Sequence, residues 1–151
     1  MSSRSGKKTN VWARRRARRA LVQALYQWEL SANSVSSVIA DFETGDALKK
    51  ADDEFFIEVL RKSTAMTPVL DALYGPLLDR EVEKLDPVER AILRLAAFEF
   101  SERIDVPYRV VIDEYVELAK VFGAQDSHKY INGVLDNVAS SVRTVEVESR
   151  G

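Results

Sequence analysis

The chain has 151 residues, no cysteine and a formal net charge of -2, with 46% hydrophobic and 30% charged residues. That length suits one domain able to bury about two-thirds of its unfolded surface, and the lack of cysteine excludes a disulfide framework, thiolate metal sites and cysteine nucleophiles. The start MSSRSGKKTN has no apolar h-region, and no stretch reaches the roughly 18 apolar residues of a membrane span, so a soluble, cytoplasmic protein is expected.

Hydrophobic periodicity reads as helix throughout, and no segment sustains two-residue alternation. We therefore expect an all-α fold of about seven helices in two packed helical-bundle subdomains sharing one core. Residues 1–11 read as a flexible basic extension carrying Arg4, Lys7 and Lys8. Asn10 can cap a first helix to about Leu30, with Ala17, Leu21, Ala24, Leu25 and Trp28 on its core face. Val35, Val38, Ile39 and Phe42 mark a second helix that Gly45 can end. Asp52 or Asp53 opens a third with Phe55, Phe56, Val59 and Leu60. Thr67-Pro68 reads as a cap and first-turn proline for a fourth, carrying Val69, Leu70, Leu73 and Leu77, with a kink or break at Gly75-Pro76.

Asp86-Pro87-Val88-Glu89 is the clearest helix start in the chain: cap, first-position proline and third-position glutamate coincide. The fifth helix that follows is apolar around much of its circumference, which predicts a central position. Val106-Pro107 introduces a sixth with Val111, Ile112, Tyr115, Val116 and Ala119, for which Gly123 offers an end tolerant of positive φ. Asp126 or Ser127 caps a seventh bearing Ile131, Val134, Leu135 and Val138. Residues 143–151 read as a flexible C-terminal tail.

Charge is sharply segregated along this plan. Every charged residue from Arg4 to Arg19 is positive, and those eight leave 14 Lys and Arg against 24 Asp and Glu elsewhere. Such a concentration attracts phosphate backbones. On a helical wheel with Arg14 at zero, Ala17, Leu21, Leu25 and Trp28 fall between about 300° and 20°, whereas Arg15, Arg18 and Arg19 fall between about 40° and 140°. Tyr26 continues the row of Arg15, Arg19 and Val22. Arginine forks match phosphate oxygens and an exposed ring stacks on an unpaired base, so this face suits single-stranded RNA.

Catalytic signatures are missing from the sequence. His128 has no thiol partner, Ser127 fits a helix cap, and the carboxylate clusters Asp52-Asp53-Glu54 and Asp113-Glu114 sit near helix starts, where the dipole favours them. No glycine-rich phosphate loop, dinucleotide fingerprint or metal-ligand spacing occurs. We read no enzyme, no metal and no cofactor.

Arg14-Arg15-Arg16-Ala17-Arg18, Gln23-Ala24-Leu25-Tyr26, Val88 to Arg94, Val106-Pro107-Tyr108, Glu117 to Ala124 and Asp126 to Asp136 together resemble the NusB family, in the same order, over about residues 12–142. The resemblance makes 12–142 the NusB-like helical domain. It implies a transcription antitermination factor that binds the boxA element of nascent RNA with the ribosomal protein NusE. The pair then joins other Nus factors on RNA polymerase and suppresses premature termination in ribosomal RNA operons. It also implies an RNA-binding set of Arg14, Arg15, Arg16, Arg18, Tyr26, Arg94, Lys129 and Tyr130, with Glu89 and Asp126 near the RNA surface; the basic face of the first helix adds Arg19 to the RNA-binding candidates. Tyr130 stands where relatives commonly carry phenylalanine, and Arg19 where they carry an acidic residue. Two other readings compete: a helical scaffold whose basic segment binds an acidic protein, and an RNA-binding domain like those of ribosomal RNA cytosine methyltransferases. The missing cofactor domain and cysteine count against methyl transfer.

Overall fold

Helix α1 (Val11–Leu30) starts where the sequence supplies a cap. In a computed structural model that describes residues 10–150, and of Arg150 only the backbone, the Asn10 side chain accepts the Ala13 amide hydrogen at 3.1 Å. Of the flexible extension expected over residues 1–11, residues 1–9 lie outside the described residues, while Asn10 and Val11 are instead the cap and first residue of α1. Seven further α-helices follow: α2 (Val35–Thr44), α3 (Asp53–Ala65), α4 (Thr67–Tyr74), α5 (Pro87–Glu102), α6 (Tyr108–Phe122), α7 (Ser127–Val142) and α8 (Thr144–Arg150). Short 3-10 turns at Gly75–Leu77 and Val82–Lys84 join α4 to α5, and no strand occurs among the described residues. The fold is all-α, with one α-helix more among the described residues than the seven expected, in two compact units divided between Lys62 and Ser63.

In the first unit, α1 buries Ala17, Leu21, Ala24 and Leu25, and α2 buries Val38 and Ile39. Ser34 caps α2 by accepting the Ser37 amide at 3.1 Å, and Phe42 stacks on Phe56 of α3 with centroids 5.6 Å apart. Asp52 is the junction. One carboxylate oxygen accepts the Phe55 amide at 3.1 Å, capping α3, while the other takes Arg14 Nε at 3.3 Å. Its own amide donates to the Ala13 carbonyl at 3.0 Å, so the turn before α3 is tied to the first turn of α1.

The second unit is organised by α5, buried continuously from Ala91 to Phe100 and packed by α4, α6 and α7. Its start matches the sequence signature: Asp86 accepts the Val88 amide at 2.8 Å. Glu89 does something else, accepting the Ser127 hydroxyl at 2.7 Å, so the expected capping glutamate reaches to α7 instead. Two polar side chains inside α5 have partners. Arg94 forks onto Asp71 of α4 through Nε and Nη2, both at 2.9 Å, and Glu99 accepts the Tyr115 hydroxyl at 2.6 Å.

Other local expectations need correction. The α4 cap is Met66, and Thr67 instead donates its hydroxyl to the Ser63 and Thr64 carbonyls. Inward positions on α4 are Leu70 and Tyr74, leaving Val69 at 55% exposure. Gly123 has φ -84°, so no left-handed end explains it; a Cβ there would stand 2.7 Å from the Ala119 carbonyl oxygen and 2.9 Å from Ser127 Oγ. Finally, where a flexible tail is expected from 143, the chain forms α8. The Arg143 guanidinium donates to the carbonyls of Glu99, Phe100, Arg103 and Val106 and pairs with Glu146 at 2.6 Å. Glu146 in turn accepts the Tyr108 amide at 3.0 Å, capping α6 from the far end of the sequence. Two of these carbonyls, those of Glu99 and Arg103, also accept backbone amides, so the arginine adds donors to the ending of α5 and the turn after it.

Candidate nucleic-acid interface

On α1 the exposed arc is rotated relative to the wheel. Trp12, Arg15, Arg16, Arg19, Gln23 and Tyr26 are exposed, between about 100° and 200°, whereas Val22 and Arg18, at about 80° and 40°, are buried. Val22 therefore leaves the expected stripe, and Arg18 leaves the outward face. Arg18 is only 3% exposed, with its guanidinium carbon 5.3 Å from the Phe55 ring centroid. Arg14 lies over the same ring at 4.1 Å while paired with Asp52. Phe55 explains the shift: a ring large enough to cover two arginine stems extends the buried arc past the aliphatic residues.

What remains outward is a cationic and aromatic face. Arg15 lies 5.0 Å from the ring of Trp12, itself 63% exposed, and Tyr26 is 38% exposed near the other end of the helix. Trp12 lies outside the expected set of RNA-facing residues. Its wheel angle, near 160°, was the available signal.

The remaining candidates belong to the second unit, each in a distinct setting. Arg94 is 8% exposed and committed to Asp71, which also accepts the Tyr74 hydroxyl at 2.6 Å. Burial, then that hydrogen bond, pushes the Tyr74 phenol well above its ordinary range. The sequence expectation that put Arg94 on the surface is thus corrected: its fork is spent inside the unit. Glu89 holds Ser127, the first residue of α7, and so fixes the turn that carries Lys129 and Tyr130. Asp126 precedes that helix in the left-handed region, φ 68°, without a side-chain capping bond, and its carboxylate pairs with Lys129 at 3.5 Å. Lys129 stays 73% exposed.

Tyr130 donates its hydroxyl to Asp79 Oδ1 at 3.0 Å, and Arg80 covers its ring with the guanidinium carbon 4.5 Å from the centroid. Asp79 and Arg80 carried no sequence signal, since they approach Tyr130 across about 50 residues of chain. The structure therefore groups Glu89, Asp126, Lys129 and Tyr130 around the start of α7, and Arg15, Arg16, Arg19 and Tyr26 along α1. Among the described residues no group of three or more His, Cys, Asp or Glu is placed to hold a metal, and no helix is long and apolar enough to cross a membrane.

The NusB family model matches residues 15–140. The transcription antitermination protein NusB of Alcanivorax borkumensis is 53% identical over 138 residues, covering 91% of this chain and 92% of that protein. The like-named protein of Pectobacterium carotovorum is 53% identical over 131 residues, 87% of this chain and 94% of its own. Among solved structures, T. maritima NusB superposes with a TM-score of 0.79 at 33% identity, over 93% of this chain and 99% of that one.

Proposed function

The chain belongs to the NusB family, whose members are transcription antitermination proteins and not enzymes, and on that premise we propose that it binds the boxA element of nascent RNA together with NusE. Bound so, it joins other Nus factors on RNA polymerase in the cytoplasm and suppresses premature termination in ribosomal RNA operons. The observation that carries the RNA-binding reading is the exposed face of α1, where Arg15, Arg16 and Arg19 alternate with Trp12 and Tyr26. Guanidinium forks take phosphate oxygens and the rings offer stacking surfaces to unpaired bases. In the second unit, Lys129 and Tyr130 supply a charge and a ring. Asp126 and Glu89 shape the α7 start, and Arg94 secures α5 to α4 behind it.

Fluorescence anisotropy of labelled boxA RNA against a scrambled RNA, each with and without NusE, tests this reading. We expect preferential binding of boxA, tightened by NusE. Equal affinity for both RNAs would overturn it, and NusE binding that polynucleotide fails to compete would favour a protein scaffold.

A further inference from the structure

Asp79 and Arg80 stand in the bend between the two 3-10 turns, with side chains 64% and 42% exposed, yet both fold onto Tyr130 of α7. One carboxylate sets the whole arrangement. Asp79 Oδ1 accepts both Arg80 Nε at 2.6 Å and the Tyr130 hydroxyl at 3.0 Å, while Oδ2 accepts Arg80 Nη2 at 3.2 Å. The Tyr130 edge and the guanidinium plane are thereby fixed together, and the cation lies over the ring face at 4.5 Å. Protonation states favour this closed form at neutral pH. Hydrogen bonds from Arg80 and Tyr130 hold the Asp79 carboxyl below its ordinary range, and burial, then the bond to Asp79, pushes the Tyr130 phenol up. Acceptor and donor each keep the form the contact needs.

The arrangement has a chemical consequence for a ring offered to RNA. A guanidinium over an aromatic face occupies the area on which a nucleobase would stack. The same fork matches phosphate oxygens at least as well as a carboxylate, and an exposed ion pair is weak enough to be exchanged. We propose that Asp79 latches Arg80 over Tyr130 in the RNA-free protein, and that single-stranded RNA opens the latch, a base taking the ring face and a phosphate taking the guanidinium. Asp79 then restrains RNA affinity, while Arg80 is a further RNA-contacting residue that α1 does not supply. This rests on the RNA-binding role of Tyr130 proposed above.

A double-mutant cycle on the full chain separates a latch from simple loss of negative charge. Asp79→Asn in the Tyr130 background should tighten boxA RNA binding by about three- to fivefold, the scale of an exposed ion pair. In the Tyr130→Phe background, where the hydroxyl anchor is gone, the gain should fall below about twofold. Equal gains in both backgrounds, or none in either, overturn the latch. Arg80→Ala should weaken binding and lower the slope of log affinity against log salt by roughly 0.7, one phosphate contact on a single strand; an unchanged slope overturns the phosphate transfer.

An RNA-independent readout keeps the latch testable if boxA binding itself fails. In proton–nitrogen NMR of the free protein, the Arg80 Nε–H resonance should be ring-current shifted upfield, and Asp79→Asn should move it toward the value of an unstacked arginine. An unshifted resonance in the free protein would show that no latch forms. Persistence of the shift at saturating boxA RNA would show that the guanidinium stays on the ring.

Discussion

Residue type says less about an arginine here than what its fork touches. Arg15 and Arg94 both stand at positions the family resemblance links to RNA, but Arg15 lies outward beside Trp12 and Arg94 forks inward onto Asp71. The Arg94 side chain is 9% exposed and that of Asp71 23%, so removing one partner strands a charge that solvent reaches poorly. We expect Arg94→Ala to cost about 3 kcal/mol of stability, the lower end of the range for buried pairs because Asp71 retains some water. Arg94→Lys should recover less than half, since an ammonium cannot reproduce two parallel bonds to one carboxylate. Urea denaturation of the three proteins checks both values. A midpoint unchanged in Arg94→Ala would mean that the pair holds nothing together and that Arg94 is available to a ligand after all.

Elements were more legible than their joints. Cap residues at Asn10 and Asp86, the break at Gly75-Pro76 and the all-round apolarity of α5 are local signals, and each corresponds to an observed boundary or burial. Long-range partners leave no local signal. Glu89 is drawn away from its own helix start by Ser127, 38 residues on, and α8 exists because Arg143 finds four carbonyls around the end of α5. On α1, the wheel puts Ala17, Leu21, Ala24 and Leu25 on the core side, where they are buried, and Trp28, which is only half-buried; it carries no sign that Phe55 covers Arg14 and Arg18. Gly123 makes the same point testable. Its place at a helix end suggests freedom of φ, yet its φ of -84° suits any residue, and what opposes a side chain is the approach of the Ala119 carbonyl and Ser127. Gly123→Ala should therefore destabilise by about 1–3 kcal/mol, an overpacking cost, by forcing the α6–α7 joint apart. Thermal unfolding measures it, and a neutral or stabilising substitution would show that the joint yields freely.

At the scale of the whole molecule, the net charge of -2 conceals the property that matters for a polyanion partner. Eight positive charges fall between residues 4 and 19, and the rest of the chain carries an acidic excess that repels nucleic acid. Affinity for RNA should accordingly depend on where cations sit rather than on their total, and salt dependence measures this. Each phosphate contact on a single strand contributes about 0.7 to the slope of log affinity against log salt. Arg15 and Arg19 are exposed on α1, so Arg15→Ala with Arg19→Ala should lower that slope by roughly 1.4 and leave the helix content by circular dichroism unchanged. Arg18→Ala removes the same formal charge from a side chain 3% exposed against Phe55. It should lower thermal stability and leave the slope nearly where it was. If all three positions changed the slope equally, the basic segment would be acting as an unstructured charge, and the oriented face of α1 would have no part in binding.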